Sequence, residues 1–499
     1  MIGIDIGGTN TDAAVVGEDI FTVKVPNELG LKRILEELSK YVNLRKERLV
    51  VSTSMALNFV ISKFNEYKTL TLLIPGPGLN YSNYGIVLKG CINHRGDIVE
   101  NIDENEVKKA LNGNYDNVAI AAKFSIRNSA LEEAVKSIAL EKFKEEDIAL
   151  SHHIGYLNYP LRINTTILNA KIKKTVYELT NLITRYVDDF YYYRGDGGII
   201  PYKLALQNPS ELYNSSSAAV AFGAYFLTKE NNCLVIDIGG TSTDFVPLEN
   251  GKPKIVERAE IAGLKTTVRC VDSFSVPFGG DSIVRDGKLK PERLDKPIAF
   301  GGKYFTLTDA LNCIGYEIGN YKASKEAGRE IFRDLKDFEA VVEQFLSVVA
   351  NLVGQMEYDK VIGAGYLAPI LIPEIAKRAN VSYEIPKHCE AVNAIGVAVS
   401  KVSLSLYARF DTTTGKAVYN GKVEDCPFRI GSMPSDDEIV NTAIEKLISL
   451  VRDFGAGEDD IGDVRVLYYN SYEVVRGGIR RGKIADVVVQ IEPGIRNVG

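Results

Sequence analysis

The sequence predicts an α/β protein of two or three domains, most of it arranged as two related lobes. Strand-like apolar runs alternate with amphipathic helical runs along most of the chain, the pattern of a sheet covered by helices. The octapeptide "DIGGTNTD", Asp5 to Asp12, returns as "DIGGTSTD", Asp237 to Asp244, changed only at Asn10 against Ser242. One repeat so widely separated implies a pair of lobes rather than a solenoid. At 499 residues the chain exceeds one ordinary core, since domains usually run ~100–200 residues. The expected division is 1–180, 181–406 and a small α+β subdomain over 407–499, where polar turns take over.

In "MIGIDI" the alternation of Ile2, Ile4 and Ile6 with Gly3 and Asp5 has strand period. Gly7-Gly8 turns the chain and "TDAAVV" resumes it, so the first octapeptide bridges a hairpin. Apolar residues at helical spacing predict a helix over 31–42. "LTLLIP" (70–75) and "NVAIAAKF" (117–124) read as strands, and "SALEEAVKSIALEKF" as a helix. The stretch 161–193 is expected to be mostly helical. "NSSSAAVAFGAYFL" (214–227) reads as a helix capped by serine or asparagine. "CLVIDI" then gives the second octapeptide the same strand–turn–strand setting. A periodic helix covers 338–356, "KVIGAG" (360–365) is a strand entering a glycine turn, and a last helix spans 437–454. Short strands are expected at "VRVLYY" and "ADVVVQI", with "GIRRGK" (478–483) as a basic loop.

Net charge is −6, which opposes nucleic-acid or anionic-membrane binding, since both need a concentrated basic field. No apolar run reaches the ~18–20 residues that span a bilayer, and the N-terminus enters a strand at once, without a targeting segment. Six cysteines without a C-x-x-C pair fit reduced thiols in a cytoplasmic protein. Four histidines are too few for a multi-histidine cage. His152 and His153, taken as strand neighbours, would point to opposite faces and not share a metal.

An aspartate ending an apolar strand is costly to bury unless it meets a cation, water or a good donor. Paired glycines let backbone approach a ligand closely, and the following Thr-x-Thr adds hydroxyls and amide donors suited to phosphate oxygens. No lysine follows as in a Walker loop, so a metal must neutralise charge. Candidate Mg²⁺ ligands are Asp5 and Asp237, through water. Candidate phosphate contacts are Gly7, Gly8, Thr9, Asn10 and Thr11 in one copy, and Gly239, Gly240, Thr241, Ser242 and Thr243 in the other. Asp12 and Asp244, just past each turn, are candidates to orient water or substrate as a base, or else to brace the turn. Two such hairpins face to face would clamp a nucleotide's polyphosphate. "GAGYLA" followed by Glu384 also has Rossmann spacing, a reading that leaves the duplicated hairpins unexplained.

The paired hairpins resemble the phosphate motifs of the sugar kinase, actin and heat-shock chaperone ATPases, and most closely the hydantoinase/oxoprolinase family of hydantoinase A subunit type. "STSMALN" (52–58), "FSIRN" (124–128), "NTTILNA" (164–170), "GDGGII" (195–200), "SSSAAVAFGA", "LTDA" (307–310) and "GAGYLAP" (363–369) are similar to that family's stretches in the same order, over about residues 1–410. The resemblance implies two RNase H-like lobes, ATP and Mg²⁺, and ATP-dependent opening of a cyclic amide such as 5-oxoproline or a hydantoin through a phosphorylated intermediate. It assigns Gly363, Ala364 and Gly365 to the adenosine side. It also implies a second hydantoinase-type subunit, in a homo- or hetero-oligomer. Departures fall where substrate would bind: Leu161 precedes Arg162, Phe274 and Ala368 replace histidines, and Asp196 replaces an asparagine. Nucleotide binding is therefore better supported than lactam hydrolysis. A small-molecule kinase, or a nucleotide-dependent switch acting on a partner protein, fits the same hairpins. Arg162 and Arg194 are either substrate-carboxylate partners or ordinary surface residues, and "PFGGDS" (277–282) is expected to line the cleft or form a plain loop.

Overall fold

The computed structural model describes residues 1–8, 10–27, 30–53, 62–332 and 334–496. Ile2, Ile4 and Ile6 of the strand Ile2–Ile6 are buried in the main core, as their alternation predicts. The opposite face is covered too. A Cβ on Gly3 would stand 2.1 Å from the carbonyl oxygen of Ala394, so glycine here lets the helix Val392–Val399 lie directly on the strand.

Two six-stranded sheets share one plan. In the first, Ile20–Pro26, Asn10–Val16, Ile2–Ile6, Leu49–Thr53 and Tyr191–Tyr193 lie side by side, with Ile199–Pro201 outermost. In the second, Lys252–Pro253, Thr243–Glu249, Cys233–Ile238, Lys360–Ala364 and Ser382–Glu384 follow the same order, and the sixth strand, Phe274–Val276, pairs off this path with Thr243–Glu249. In both, the first three strands in sequence are antiparallel, and Leu49–Thr53 with Tyr191–Tyr193 in one, Lys360–Ala364 with Ser382–Glu384 in the other, run parallel to the first strand. The repeat in the sequence is thus a repeat in topology. The expected boundary at 180 falls within the helix Tyr159–Ile183, and the first sheet takes two strands from beyond it.

A parallel sheet of Ile148–Leu150, Asn117–Ala122, Thr69–Ile74 and Ile86–Val87 has its own core with the helices Glu104–Leu111 and Ala130–Ala139. The chain's last part forms an antiparallel sheet of Lys422–Asp425, Lys416–Tyr419, Leu404–Asp411, Ile479–Ile491 and Val464–Arg476. The helix Asp436–Asp453 packs on it through Ile439, Ala443, Leu447 and Val451. Ser435 and Glu438 start that helix with a reciprocal capping box.

Several expectations change. The two strands read as short are 13 residues each, and "GIRRGK" is mostly the start of the second, because the hairpin turns on Gly477-Gly478 alone. Tyr191–Tyr193 forms a strand, not helix. The helix predicted over 31–42 ends at Leu38. Asn214 precedes the helix Ser215–Thr228 in a left-handed conformation, φ 62°. It does not cap that helix; its amide instead donates to the Val271 carbonyl and the Ser273 hydroxyl.

Inside the last sheet Arg409 donates twice to Asp486, at 2.6 and 2.8 Å, and both are nearly fully buried. Arg127 and Tyr407 complete the cluster. Asp486→Ala would strand the Arg409 charge, a loss of about 3–5 kcal/mol. Urea unfolding followed on this chain should show that drop.

Candidate functional site

Each octapeptide folds into the predicted hairpin, with matching register. Asp5 is paired across the strands with Asp12, and Asp237 with Asp244. The turns close alike, Gly7 N–H donating to Asn10 O at 3.1 Å and Gly239 N–H to Ser242 O at 3.0 Å. Directly paired residues share a face of the sheet, so Ser52, Asp5, Asp12 and Lys24 form one row. Ala364, Asp237, Asp244 and Ser275 form the equivalent row in the second sheet.

The turns are braced by different means at equivalent atoms. Gly7 O accepts from the Asn27 side chain at 2.7 Å, while Thr11 Oγ1 bonds Asn27 Oδ1 at 2.9 Å. Gly239 O accepts from Gly280 N–H at 2.9 Å, and Thr243 Oγ1 donates to Phe278 O at 2.8 Å. "PFGGDS" is therefore a strap on the second hairpin, and Asp281 in it bonds Arg293 at 2.9 Å. The turns point at each other: a Cβ on Gly8 would lie 4.0 Å from Thr241 Oγ1. Gly8, Gly239 and Thr241 are exposed. Thr9 and residues 54–58 of "STSMALN" lie outside the described residues.

Between the hairpins stands Asn393, which the sequence reading passed over. Its Nδ2 donates to Asp5 Oδ2 at 3.3 Å and to Asp237 Oδ2 at 3.2 Å, and lies 3.1 Å from Ser216 Oγ. Ser216, in the first turn of the helix Ser215–Thr228, reaches Asp5 Oδ2 at 3.4 Å. One amide thus joins the two copies of the repeat. The signal was a single asparagine inside the apolar run "AVNAIGVAV".

The site is short of positive charge. Lys24 lies 3.0 Å from Asp12, whereas the equivalent place opposite Asp244 holds Ser275, which bonds it through a hydroxyl. Burial pushes Asp237 up to about 7, with Asp244 adding to the rise. Burial likewise raises Asp12 to about 6, against the pull of Lys24, and raises Asp5 and Asp244. Asp5 Oδ1 is buried without a protein hydrogen-bond partner. Carboxylates held this way fit a divalent cation. Asp12 accepts from Lys24 and Asp244 from Ser275, and among the described residues neither accepts from a turn amide.

Of Gly363, Ala364 and Gly365, the first two are buried in the strand Lys360–Ala364. Gly365 stands in the turn at φ 93°, where a Cβ would meet Ile238 O at 2.3 Å and Asp237 Oδ1 at 3.1 Å. Glu384 is taken by Lys360 at 2.7 Å, which removes the ribose carboxylate of the Rossmann reading. Arg162 and Arg194 are neither surface residues nor in the hairpin site. Arg162 is fully buried on Ser125, Ser151 and the carbonyls of Ala122 and Lys123. Arg194 binds the Ser403 carbonyl and Asp196, itself fully buried. Phe274 stacks on Phe245 at 4.5 Å, and Ala368 is core.

Comparison with known proteins bears on the family and the fold. Residues 162–405 match the family described as Hydantoinase/oxoprolinase. The resemblance to that family read from the sequence is borne out over this segment. It is 20% identical to the caprolactamase subunit alpha of Pseudomonas jessenii, over 69% of this chain and 54% of the relative. It is 24% identical to an uncharacterized protein of Methanocaldococcus jannaschii, over 55% of this chain and 47% of the relative. The chain therefore spans about half the length of the curated relatives it matches. The nucleotide-free structure of acetone carboxylase superposes with TM-score 0.72 at 17% identity, over 99% of this chain and 87% of the other. The ATP-dependent caprolactamase of Pseudomonas jessenii gives 0.64 at 18%, with the same coverage. This chain shares their mixed α/β fold. Among its described residues no helix is long and apolar enough to cross a membrane.

Proposed function

We propose that this chain binds ATP and Mg²⁺ between its two octapeptide hairpins and uses the nucleotide to open a cyclic amide. The observation that carries the reading is the bridging of Asp5 and Asp237 by one Asn393 amide, tip to tip beneath two exposed glycine turns. The match of residues 162–405 to the hydantoinase/oxoprolinase family and likeness to a caprolactamase subunit support the substrate class. On this reading each six-stranded sheet is the centre of an RNase H-like lobe, and the region after about 407 is a small α+β subdomain.

Asp5 and Asp237 would hold Mg²⁺, mostly through water, and the buried, unpartnered Asp5 Oδ1 fits that role. When bound, the ion would neutralise charge on the transferring phosphoryl group. The turn amides around Gly7, Gly8, Gly239 and Gly240 would fix the phosphates. A lactam carbonyl is a poor electrophile, and phosphorylation of its oxygen with release of ADP corrects that. Water then adds to the carbon and gives up a proton, the ring C–N bond breaks as nitrogen gains a proton, and a second water cleaves the resulting acyl phosphate to leave a carboxylate and inorganic phosphate. Asp12 and Asp244 are our candidates to accept the water's proton. Asp12, raised to about 6, is near the range a base needs at neutral pH.

Since one relative is named as a subunit, we propose a second hydantoinase-type subunit beside this chain, in the cytoplasm. The test is ATP turnover with a panel of lactams and hydantoins, with and without co-purifying protein. Lactam-dependent release of inorganic phosphate is expected. Equal lactam hydrolysis without nucleotide overturns the reading. Label retained in a phosphorylated metabolite selects a small-molecule kinase, and turnover changed only by a partner protein selects a switch.

A further inference from the structure

His152 and His153 do not lie on a strand. They occupy one 3₁₀ turn, Ser151–His153, following the strand Ile148–Leu150. A tight turn brings consecutive side chains together where a strand separates them, and the two rings are 4.3 Å apart between centroids. The first turn of the helix Ala130–Ala139 presents Glu132 and Glu133 to them. One ligand atom from each of Glu133, His152 and His153 lies within 4.8 Å of the others. His152 Nε2 and Glu133 Oε1 are 3.4 Å apart. Ligands bound at ~2.0–2.1 Å in tetrahedral zinc sites are separated by about that much.

Behind this trio stands a fully buried carboxylate. Glu132 Oε2 lies 2.7 Å from His152 Nδ1 and also accepts the His152 backbone N–H at 3.0 Å. Its Oε1 accepts from Ala122 N–H at 2.7 Å and from Ser151 Oγ at 2.6 Å. A carboxylate so anchored holds the proton on Nδ1 and aims the Nε2 lone pair outward, as partners of metal-binding histidines do. Glu133 is about half exposed, its side chain at 47%, so the mouth is open to solvent.

The geometry points to a binding site for one borderline divalent transition metal, Zn²⁺ above all, held by Glu133, His152 and His153 with a fourth position left for water. Imidazole and carboxylate ligands suit that class better than Mg²⁺ or Ca²⁺, which favour all-oxygen shells. The site lies on the parallel sheet's own unit, does not depend on the nucleotide reading, and would tie the Ala130–Ala139 helix to the Ser151–His153 turn.

The test uses the full chain, stripped with chelator and titrated with Zn²⁺ and with Co²⁺. One equivalent should bind, Co²⁺ should give the visible absorption of a four-coordinate site, and Zn²⁺ should raise the melting temperature. His153→Gln and Glu133→Gln should each weaken binding at least tenfold and cancel the thermal shift while the metal-free proteins melt as wild type. Asp237→Asn should leave it intact. No binding, or binding unchanged in both the His153→Gln and Glu133→Gln variants, overturns the proposal. Retained binding would place the metal elsewhere, for example on the free thiols.

Discussion

Asp237→Asn is expected to abolish nucleotide-dependent turnover and yet make the ligand-free protein more stable at pH 8. The turnover loss follows from the proposed role of Asp237 as a metal-holding carboxylate opposite Asp5. The stability gain follows from its surroundings. In the folded chain burial and the neighbouring Asp244 lift this carboxyl from 3.8 to about 7. A group raised on folding contributes stability that is fully present below 3.8 and is lost as pH rises through about 7. At pH 8 the native state must therefore hold an unwelcome negative charge, which asparagine removes at similar size. Each pKa unit is worth ~1.4 kcal/mol. Because Asp237 keeps some contact with solvent, a net gain of roughly 1–2 kcal/mol is the fair expectation. Thermal melts from pH 5 to 8 should show wild type losing stability and the variant changing less. Equal pH dependence in the two proteins would refute the electrostatic account, and unchanged nucleotide turnover would refute the proposed role.

Gly396→Ala should be severely destabilising, although alanine is the better helix former. The substitution gains up to ~1 kcal/mol in intrinsic propensity. The new methyl, however, would sit 2.0 Å from the carbonyl oxygen of Ala219. Backbone cannot step aside as a side-chain tip can, so an overpacking cost near the upper end, about 3 kcal/mol, applies. The net loss should be about 2 kcal/mol, read by urea unfolding. Since Asn393 rides on the same helix, whatever shift relieves the clash should also spoil nucleotide turnover. Gly354 provides the contrast. It ends the helix Leu335–Gly354 with open space around its missing Cβ, and Gly354→Ala should be neutral or mildly stabilising.

The parts legible in the sequence were those governed by short-range pattern. Strand period at Ile2–Ile6, the duplicated octapeptide and the long helix Leu335–Gly354 all carry their signal within a few residues. What was not legible depends on chain segments far apart. Asn393 looks like an odd polar residue in an apolar helix until the fold sets it between Asp5 and Asp237. The buried places of Arg162 and Arg194 follow from carbonyls and hydroxyls that no local pattern pairs with them. His152 and His153 were misjudged for a different reason. Strand geometry was assumed for them, and the tight turn that actually holds them reverses the conclusion about whether they can act together. Thr9, in the first turn, lies outside the described residues.

The helix Val392–Val399 has a mechanical consequence. On one side its backbone is pressed to Gly3 of the first sheet, and on another Gly223 and Gly396 bring it equally close to the helix Ser215–Thr228. Those seams have no slack. Toward the second sheet its side-chain tie is the Asn393–Asp237 hydrogen bond at 3.2 Å. A helix with no room to slide against Gly3 or against Ser215–Thr228 therefore carries the side chain that spans Asp5 and Asp237, so the spacing of the two carboxylates is set by backbone contacts well away from them.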